Sequence, residues 1–289
     1  MPAKLSKEER RTFVESREKE LIQSIKIAVS SIRSSAAWTD YLTIMSRFWT
    51  YSFRNQLLIA LQCPGASRVA GFNKWRDLGR TVKKGEKAAW ILAPMTKVVG
   101  EDSLTGDKVH AVRGFRTVGV FDISQTEGKE LESEQFRIVA KGDAPEQVAL
   151  LTRLAVSMGF KVEFGETGAL NGWVNSDRQI MIKASNPSMA QAKTLIHELA
   201  HGLLGHPGRK DLSREVMELQ AETTAFVVSQ ALGLETAQEN FNYLAHWTAQ
   251  EKDFAAQLES AATVAMATAK ILLEQIEKQE IRDQAQEAA

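Results

Sequence analysis

A single cysteine, Cys63, stands in a chain of 289 residues. It excludes an internal disulfide and any cysteine-built metal knuckle, and it predicts a reducing compartment, the cytoplasm. Net charge is lacking as well, since 36 Lys/Arg cancel 36 Asp/Glu. That balance excludes a uniformly basic nucleic-acid protein and a highly charged disordered tail. No apolar run approaches the roughly 20 residues that span a bilayer. The first residues (Lys4, Lys7, Glu8, Glu9, Arg10, Arg11) carry charge in place of an apolar signal core, so no membrane partner is expected. Histidine is scarce, at five, so two of them set close together carry weight.

The remaining composition, 44% apolar and 25% charged, is that of an ordinary globular protein. At roughly 100–200 residues per domain, the length predicts two domains. The zero net charge conceals a split. Residues 1–130 hold 22 Lys/Arg against 14 Asp/Glu, a net of +8, and residues 131–289 hold 14 against 22, a net of −8. Residues 41–100 are the most one-sided, with ten Lys/Arg against Asp77 and Glu86. Such asymmetry points to different partners for the two halves.

Ser6 and Glu9 form a capping-box pattern that predicts a helix through about Ile32, with Phe13, Leu21, Ile25 and Val29 on its core face. A second helix is predicted over about 40–61, closed by Pro64 and Gly65. Strands are predicted at 88–93 and 114–123, joined by a long hairpin connection around 99–109. Residues 124–143 are polar, without sustained periodicity. Beyond them Asp143 reads as an N-cap, with Pro145 in the first turn of a helix ending near Gly159. Strands at 161–164 and 173–183 and helices at about 188–205, 213–232, 236–249 and 251–285 complete the chain. The expected fold class is α+β in two domains: residues 1–128, a linker at 129–143, and residues 144–289, mainly helical with a small sheet.

The chemistry-bearing motif is His197-Glu198-Leu199-Ala200-His201, flanked by Leu195, Ile196, Leu203 and Leu204. Residues four apart on a helix share a face, so both imidazoles can reach one ion. Neutral imidazole is a good Zn²⁺ ligand. Glu198, beside the first histidine, can act as general base on a water that such an ion acidifies toward a pKa of about 7. A third ligand is required, and the next predicted helix supplies Glu215, Glu218 and Glu222. The run Glu218-Leu-Gln-Ala221-Glu222 resembles the third-ligand helix of the glutamate-type zincins. That resemblance implies Glu218 as metal ligand and Glu222 as the acid that hydrogen-bonds a ligating histidine. Glu at 222, in place of the usual Asp, leaves open which of the two touches the metal. His206, in Gly-His-Pro-Gly, reads as a surface loop residue. Tyr243 and His246 could donate to an oxyanion but read more simply as helix packing beside Trp247. The strand ending Ile180-Met181-Ile182 could take a peptide by β-augmentation.

The basic half is also aromatic: eight of 21 aromatic residues fall within 41–100. Cations can track phosphates while rings stack on unpaired bases, at roughly 1–3 kcal/mol per base. No duplex-reading motif occurs, so single-stranded DNA is the expected partner. The candidate contacts are Tyr51, Arg54, Asn55, Phe72, Lys74, Trp75, Arg76, Arg80, Lys83, Lys84 and Lys87.

The stretches Tyr51-Ser-Phe-Arg-Asn55-Gln-Leu-Leu-Ile59, Val69-Ala-Gly-Phe72-Asn-Lys-Trp75 and Leu78-Gly-Arg80-Thr-Val-Lys83-Lys-Gly85-Glu86 resemble the N-terminal domain of ArdC-type antirestriction proteins. The resemblance runs over nearly the whole chain, because that family joins such a domain to a zincin-like metallopeptidase domain. It implies single-stranded-DNA binding by the first half and a Zn²⁺ peptidase site in the second. It also implies a role in protecting incoming plasmid or mobile-element DNA from host restriction. Two alternatives remain open: a regulatory zinc protease acting on a repressor or restriction component, and a DNA-coating protein with a non-catalytic metal site.

Overall fold

The structure, a computed structural model, describes residues 7–32, 34–101, 108–131, 143–234, 241 and 254–287. The expected linker at 129–143 and the helix at 236–249, with Tyr243 and His246, fall largely or wholly outside them. So does the Ser6 cap. The chain divides into two compact units, Met1–Ser31 with Arg54–Leu131, and Ile32–Phe53 with Glu132–Ala289. The expected division at residue 128 assigned Ile32–Phe53 to the first domain. Its packing places it in the second.

In the first unit, helix α1 (Lys7–Ser31) buries Leu21, Ile25, Ala28 and Val29 against two long strands. These strands are β3 (Ala89–Glu101) and β4 (Lys108–Asp122), antiparallel, with bulges at Met95/Thr96 and Val98/Gly100. The short β1 (Val69–Gly71) pairs with the far side of β4, giving the order β1-β4-β3. A second ribbon joins β2 (Arg80–Val82) to β5 (Thr126–Gly128). Between β1 and β2 lies α4 (Phe72–Asp77), and before β1 lies α3 (Phe53–Gln62).

β3 is an edge strand, and its open side is closed by side chains. Asn55 on α3 donates to the Leu92 carbonyl and accepts from the Leu92 amide, both at 2.9 Å. Two turns on, Gln62 does the same at Trp90, at 2.8 and 2.9 Å. Two amides thus satisfy backbone groups that would otherwise invite edge pairing. Asp122, at the end of β4, accepts from the amides of Ser67, Arg68 and Ser124. It thereby fixes the start of β1 and the turn into β5.

The second helix expected at 40–61 is two helices. α2 (Ser35–Met45) ends in a 3-10 turn at Ser46–Phe48, and the chain bends before α3 begins. Apolar residues lie on both sides of the bend, so the helical pattern reads as continuous through it. In the second unit α2 sits on α7 (Arg214–Ala231). Trp38 is its anchor. Its indole donates to Thr223 Oγ1 at 3.3 Å, and its ring meets Phe53 and Phe241 at 6.3 and 6.5 Å.

The second unit continues with α5 (Pro145–Ser157), β6 (Lys161–Gly165), β7 (Gly172–Val174), β8 (Gln179–Lys183), α6 (Ser188–Leu203), α7 and α8 (Phe254–Glu287). Pro145 opens α5 as expected, but the N-cap is Ala144, whose amide donates to Ser188 Oγ at 2.8 Å. The strand expected at 173–183 is a hairpin, turned at Asn175, whose side-chain oxygen accepts from the amides of Asp177 and Gln179. The sheet order is β6-β8-β7, with β8 parallel to β6 and antiparallel to β7. Ile180-Met181-Ile182 is therefore the central strand, paired on both sides, and cannot take an added peptide strand. The two edges of this sheet are β6 and β7. Helix α6 lies between this sheet and helices α5 and α7. No helix among the described residues is long and apolar enough to cross a membrane.

Candidate metal centre

Ala192, Leu195, Ile196, Leu199 and Ala200 seat α6 in the core. That burial holds the axis of α6 and presents His197 and His201, one turn apart, along a single edge. Close approach on the opposite side is secured by Gly202, where an added methyl would collide with the Phe160 ring, 2.8 Å from its Cζ. Gly172 on β7 is equally tight, with Thr194 Cγ2 at 2.7 Å from an added Cβ. Both glycines are demanded by packing on α6.

Helix α7, opened by Ser213 accepting from the Val216 amide, carries Glu218 to the same edge. The His197 and His201 Nε2 atoms lie 3.0 Å apart, and Glu218 Oε2 lies 3.5 and 3.4 Å from them. Ligands at about 2.0–2.1 Å from a tetrahedral Zn²⁺ would stand about 3.3 Å from each other. The three donors match that spacing, and two nitrogens with one carboxylate suit a divalent cation. Glu215 and Glu222 are not in the cluster.

The electrostatics agree with the geometry. Partial burial would lower His197, but its hydrogen bond to Glu218 and the charges of Glu198, Glu218 and Glu222 raise it overall. Hydrogen bonds from His197 and His201 hold Glu218 well below the usual carboxylate range. Glu198 is 9% exposed. Burial pushes its carboxyl up, against the pull of both histidines and a hydrogen bond from the Val174 amide of β7. A buried carboxylate with a raised pKa beside two imidazoles is suited to moving a proton.

His206, expected at the surface, is 5% exposed. Its Nδ1 lies 2.8 Å from His201 Nδ1, and its Nε2 lies 3.0 Å from Gln220 Oε1. Burial lowers its pKa to about 4, so its ring is neutral. Gly205, immediately after the helix, signals the turn that brings it there.

The residues expected to contact DNA separate into four sets. Phe72 is 51% exposed, and Arg54, Lys74, Arg76, Lys84 and Lys87 also reach solvent. Asn55 and Trp75 are interior, and the Trp75 indole donates to the Phe121 carbonyl at 2.9 Å. Sequence had placed both on the surface; their polar atoms serve the sheet. Arg80 is tied through all three guanidinium nitrogens to Thr126 and Lys129, closing the β2–β5 ribbon, and Lys83 Nζ donates to the Ser124 carbonyl at 2.9 Å. Tyr51 is half-buried and belongs to the second unit.

The geometry defines a two-domain α+β protein whose second domain carries a metallopeptidase-type helix pair. Residues 12–137 match the N-terminal domain of the anti-restriction factor ArdC, and residues 162–272 match the IrrE N-terminal-like domain of a peptidase family. The two domain matches, in that order, support an ArdC-type antirestriction protein. Two crystal structures of the antirestriction protein ArdC from plasmid R388 share its fold. The metal-free one has a TM-score of 0.50 at 20% identity, covering 79% of this chain and 86% of that one. The Mn(II)-bound one has a TM-score of 0.51 at 19% identity, covering 81% and 91%. An uncharacterised protein of Bacillus anthracis is 27% identical over an alignment of 255 residues that covers 74% of this chain. The match spans 43% of that relative's length.

Proposed function

We propose that the chain binds single-stranded DNA through its first domain and is a zinc-dependent metallopeptidase in its second, and that it protects incoming plasmid or mobile-element DNA from restriction. The observation that carries the reading is the spacing of His197, His201 and Glu218, 3.0 to 3.5 Å between donor atoms, with buried Glu198 alongside. These three residues would hold the ion, which when bound polarises a peptide carbonyl and acidifies water. Glu198 takes the proton from the attacking water and passes it to the leaving amine. The Val174 amide keeps the Glu198 carboxylate oriented for both transfers. Glu222, whose charge reaches His197, supports that ligand electrostatically. The exposed cations Arg54, Lys74, Arg76, Lys84 and Lys87, with the exposed ring of Phe72, support the DNA reading.

Glu198→Gln tests the catalytic role. It preserves volume and should leave bound Zn²⁺ near one per chain while abolishing hydrolysis of a denatured protein substrate. Retention of hydrolysis by the loaded variant would reject Glu198 as the base. Gel shifts at graded salt test the DNA reading, which requires tighter binding to single strands than to duplex.

A further inference from the structure

Helix α6 ends in a Schellman turn. The Gly205 amide donates to the Gly202 carbonyl at 3.3 Å, and the His206 amide donates to the His201 carbonyl at 3.0 Å. Gly205, at φ +65°, occupies the left-handed position this turn requires. The turn returns the chain under the last helical residues, so backbone and side chain of His206 both engage His201. Behind His206 stands Gln220 of α7, buried and two residues from Glu218.

We propose that His206, backed by Gln220, is a positioning residue that fixes the tautomer and ring orientation of His201 and thereby sets the metal affinity of the site. The inference rests on the reading that His197, His201 and Glu218 hold a divalent ion. A ligating His201 must present a bare lone pair at Nε2, the atom that lies in the donor cluster. Its proton must then sit on Nδ1. Among the described residues the partner in place there is His206 Nδ1 at 2.8 Å, which must accept. His206 is then protonated at Nε2, where it meets an acceptor, Gln220 Oε1, at 3.0 Å. The hydrogens run in one direction from the ligand to Gln220, and each has a receiver. Ligating histidines commonly owe their orientation to a partner on the second nitrogen; here that partner is an imidazole supplied by the helix's own cap. A histidine that merely filled space would need neither nitrogen aligned. His206 is not itself a ligand, because its Nδ1 is committed to His201 and its Nε2 to Gln220.

The test is Zn²⁺ titration of the full chain against a competing chelator, for the wild type and for His206→Phe, His206→Asn and Gln220→Leu. Thermal unfolding without metal is recorded for each. Phe keeps an aromatic ring but accepts nothing, whereas the Asn oxygen falls near the position of Nδ1 and still accepts. His206→Phe should lose about 10–100-fold in Zn²⁺ affinity, and His206→Asn should recover most of that loss. Gln220→Leu should fall between them, with metal-free unfolding little changed. Wild-type affinity in His206→Phe, or equal losses in the Phe and Asn variants, would overturn the proposal. Should His206→Phe not fold, side-chain ¹⁵N shifts of the zinc-loaded wild type decide. They should show His201 protonated at Nδ1 and His206 protonated at Nε2 alone; a proton on His206 Nδ1 overturns the relay. If the wild type binds no Zn²⁺, the metal reading and the relay fall together. If it binds and His206→Phe binds equally, the relay alone fails.

Discussion

Two imidazole nitrogens do not rest 3.0 Å apart with both lone pairs facing. A shared proton or a cation must lie between them, and Glu218, 3.4 and 3.5 Å away, supplies the negative charge that favours either. The cluster is thus built around a proton or a cation. Its members should be unequal when removed. Glu218→Ala deletes a donor and should reduce Zn²⁺ affinity further than Glu222→Ala, for which about 10–100-fold is expected. Isothermal titration of the two variants gives the order, and equal losses would leave the third ligand misassigned. Asp122 shows a different residue-scale logic. Burial would raise its pKa, but hydrogen bonds from Ser124, Arg68 and Ser67 outweigh burial and lower it. A pKa depressed on folding contributes stability above the unfolded value of about 3.9. That stability is lost as pH falls through the folded value. Asp122→Asn should cost about 1–3 kcal/mol at neutral pH, because its amide faces the Ser124 amide donor to donor. Urea midpoints should converge with the wild type as pH drops below 4, and a gap that does not change with pH would contradict this.

At the scale of elements, α3 and α6 each depend on a few contacts that no helical pattern displays. Asn55 and Gln62 close the open side of β3. Asn55→Ala should lower the unfolding free energy by about 1–3 kcal/mol without changing Zn²⁺ affinity. Gly202→Ala adds a methyl to α6 where the Phe160 ring already lies. Helix propensity gains about 1 kcal/mol from this exchange, but overpacking costs about 1–3 kcal/mol, so the variant should melt lower. The shift of α6 should also weaken metal binding, as neither Asn55→Ala nor Asp122→Asn does. What was legible beforehand followed pattern length. α5, α6, α7 and α8, with sixteen or more residues in α6 and α7, carry enough periods to declare themselves. β1, β2 and β5 have three residues each, too few for any alternation, and exist through pairing with distant strands. The His197–His201 pair needed only local spacing. His206 was missed because its role arises from a turn, although Gly205 marked that turn. Asn55 and Trp75 were misplaced because a polar atom on an aromatic or amide side chain can serve a strand as readily as a ligand.

For the molecule as a whole, the zero net charge is a cancellation of +8 in residues 1–130 against −8 in residues 131–289. The exposed cations of the first unit should set a salt-dependent affinity for single strands, with a slope of about −0.7 per phosphate neutralised. Lys84/Lys87→Ala should flatten that slope while leaving metal binding intact, which fluorescence titration at several salt concentrations can read. Arg80, by contrast, is held by β5, so Arg80→Ala should act mainly through stability. The most direct measurement is survival of incoming unmodified DNA in a restricting host that carries the Glu198→Gln chain, with zinc content checked in parallel. Zinc retained and protection lost is the expected result. Full protection by the zinc-loaded variant would contradict a hydrolytic role for the second domain and leave DNA coating as the function.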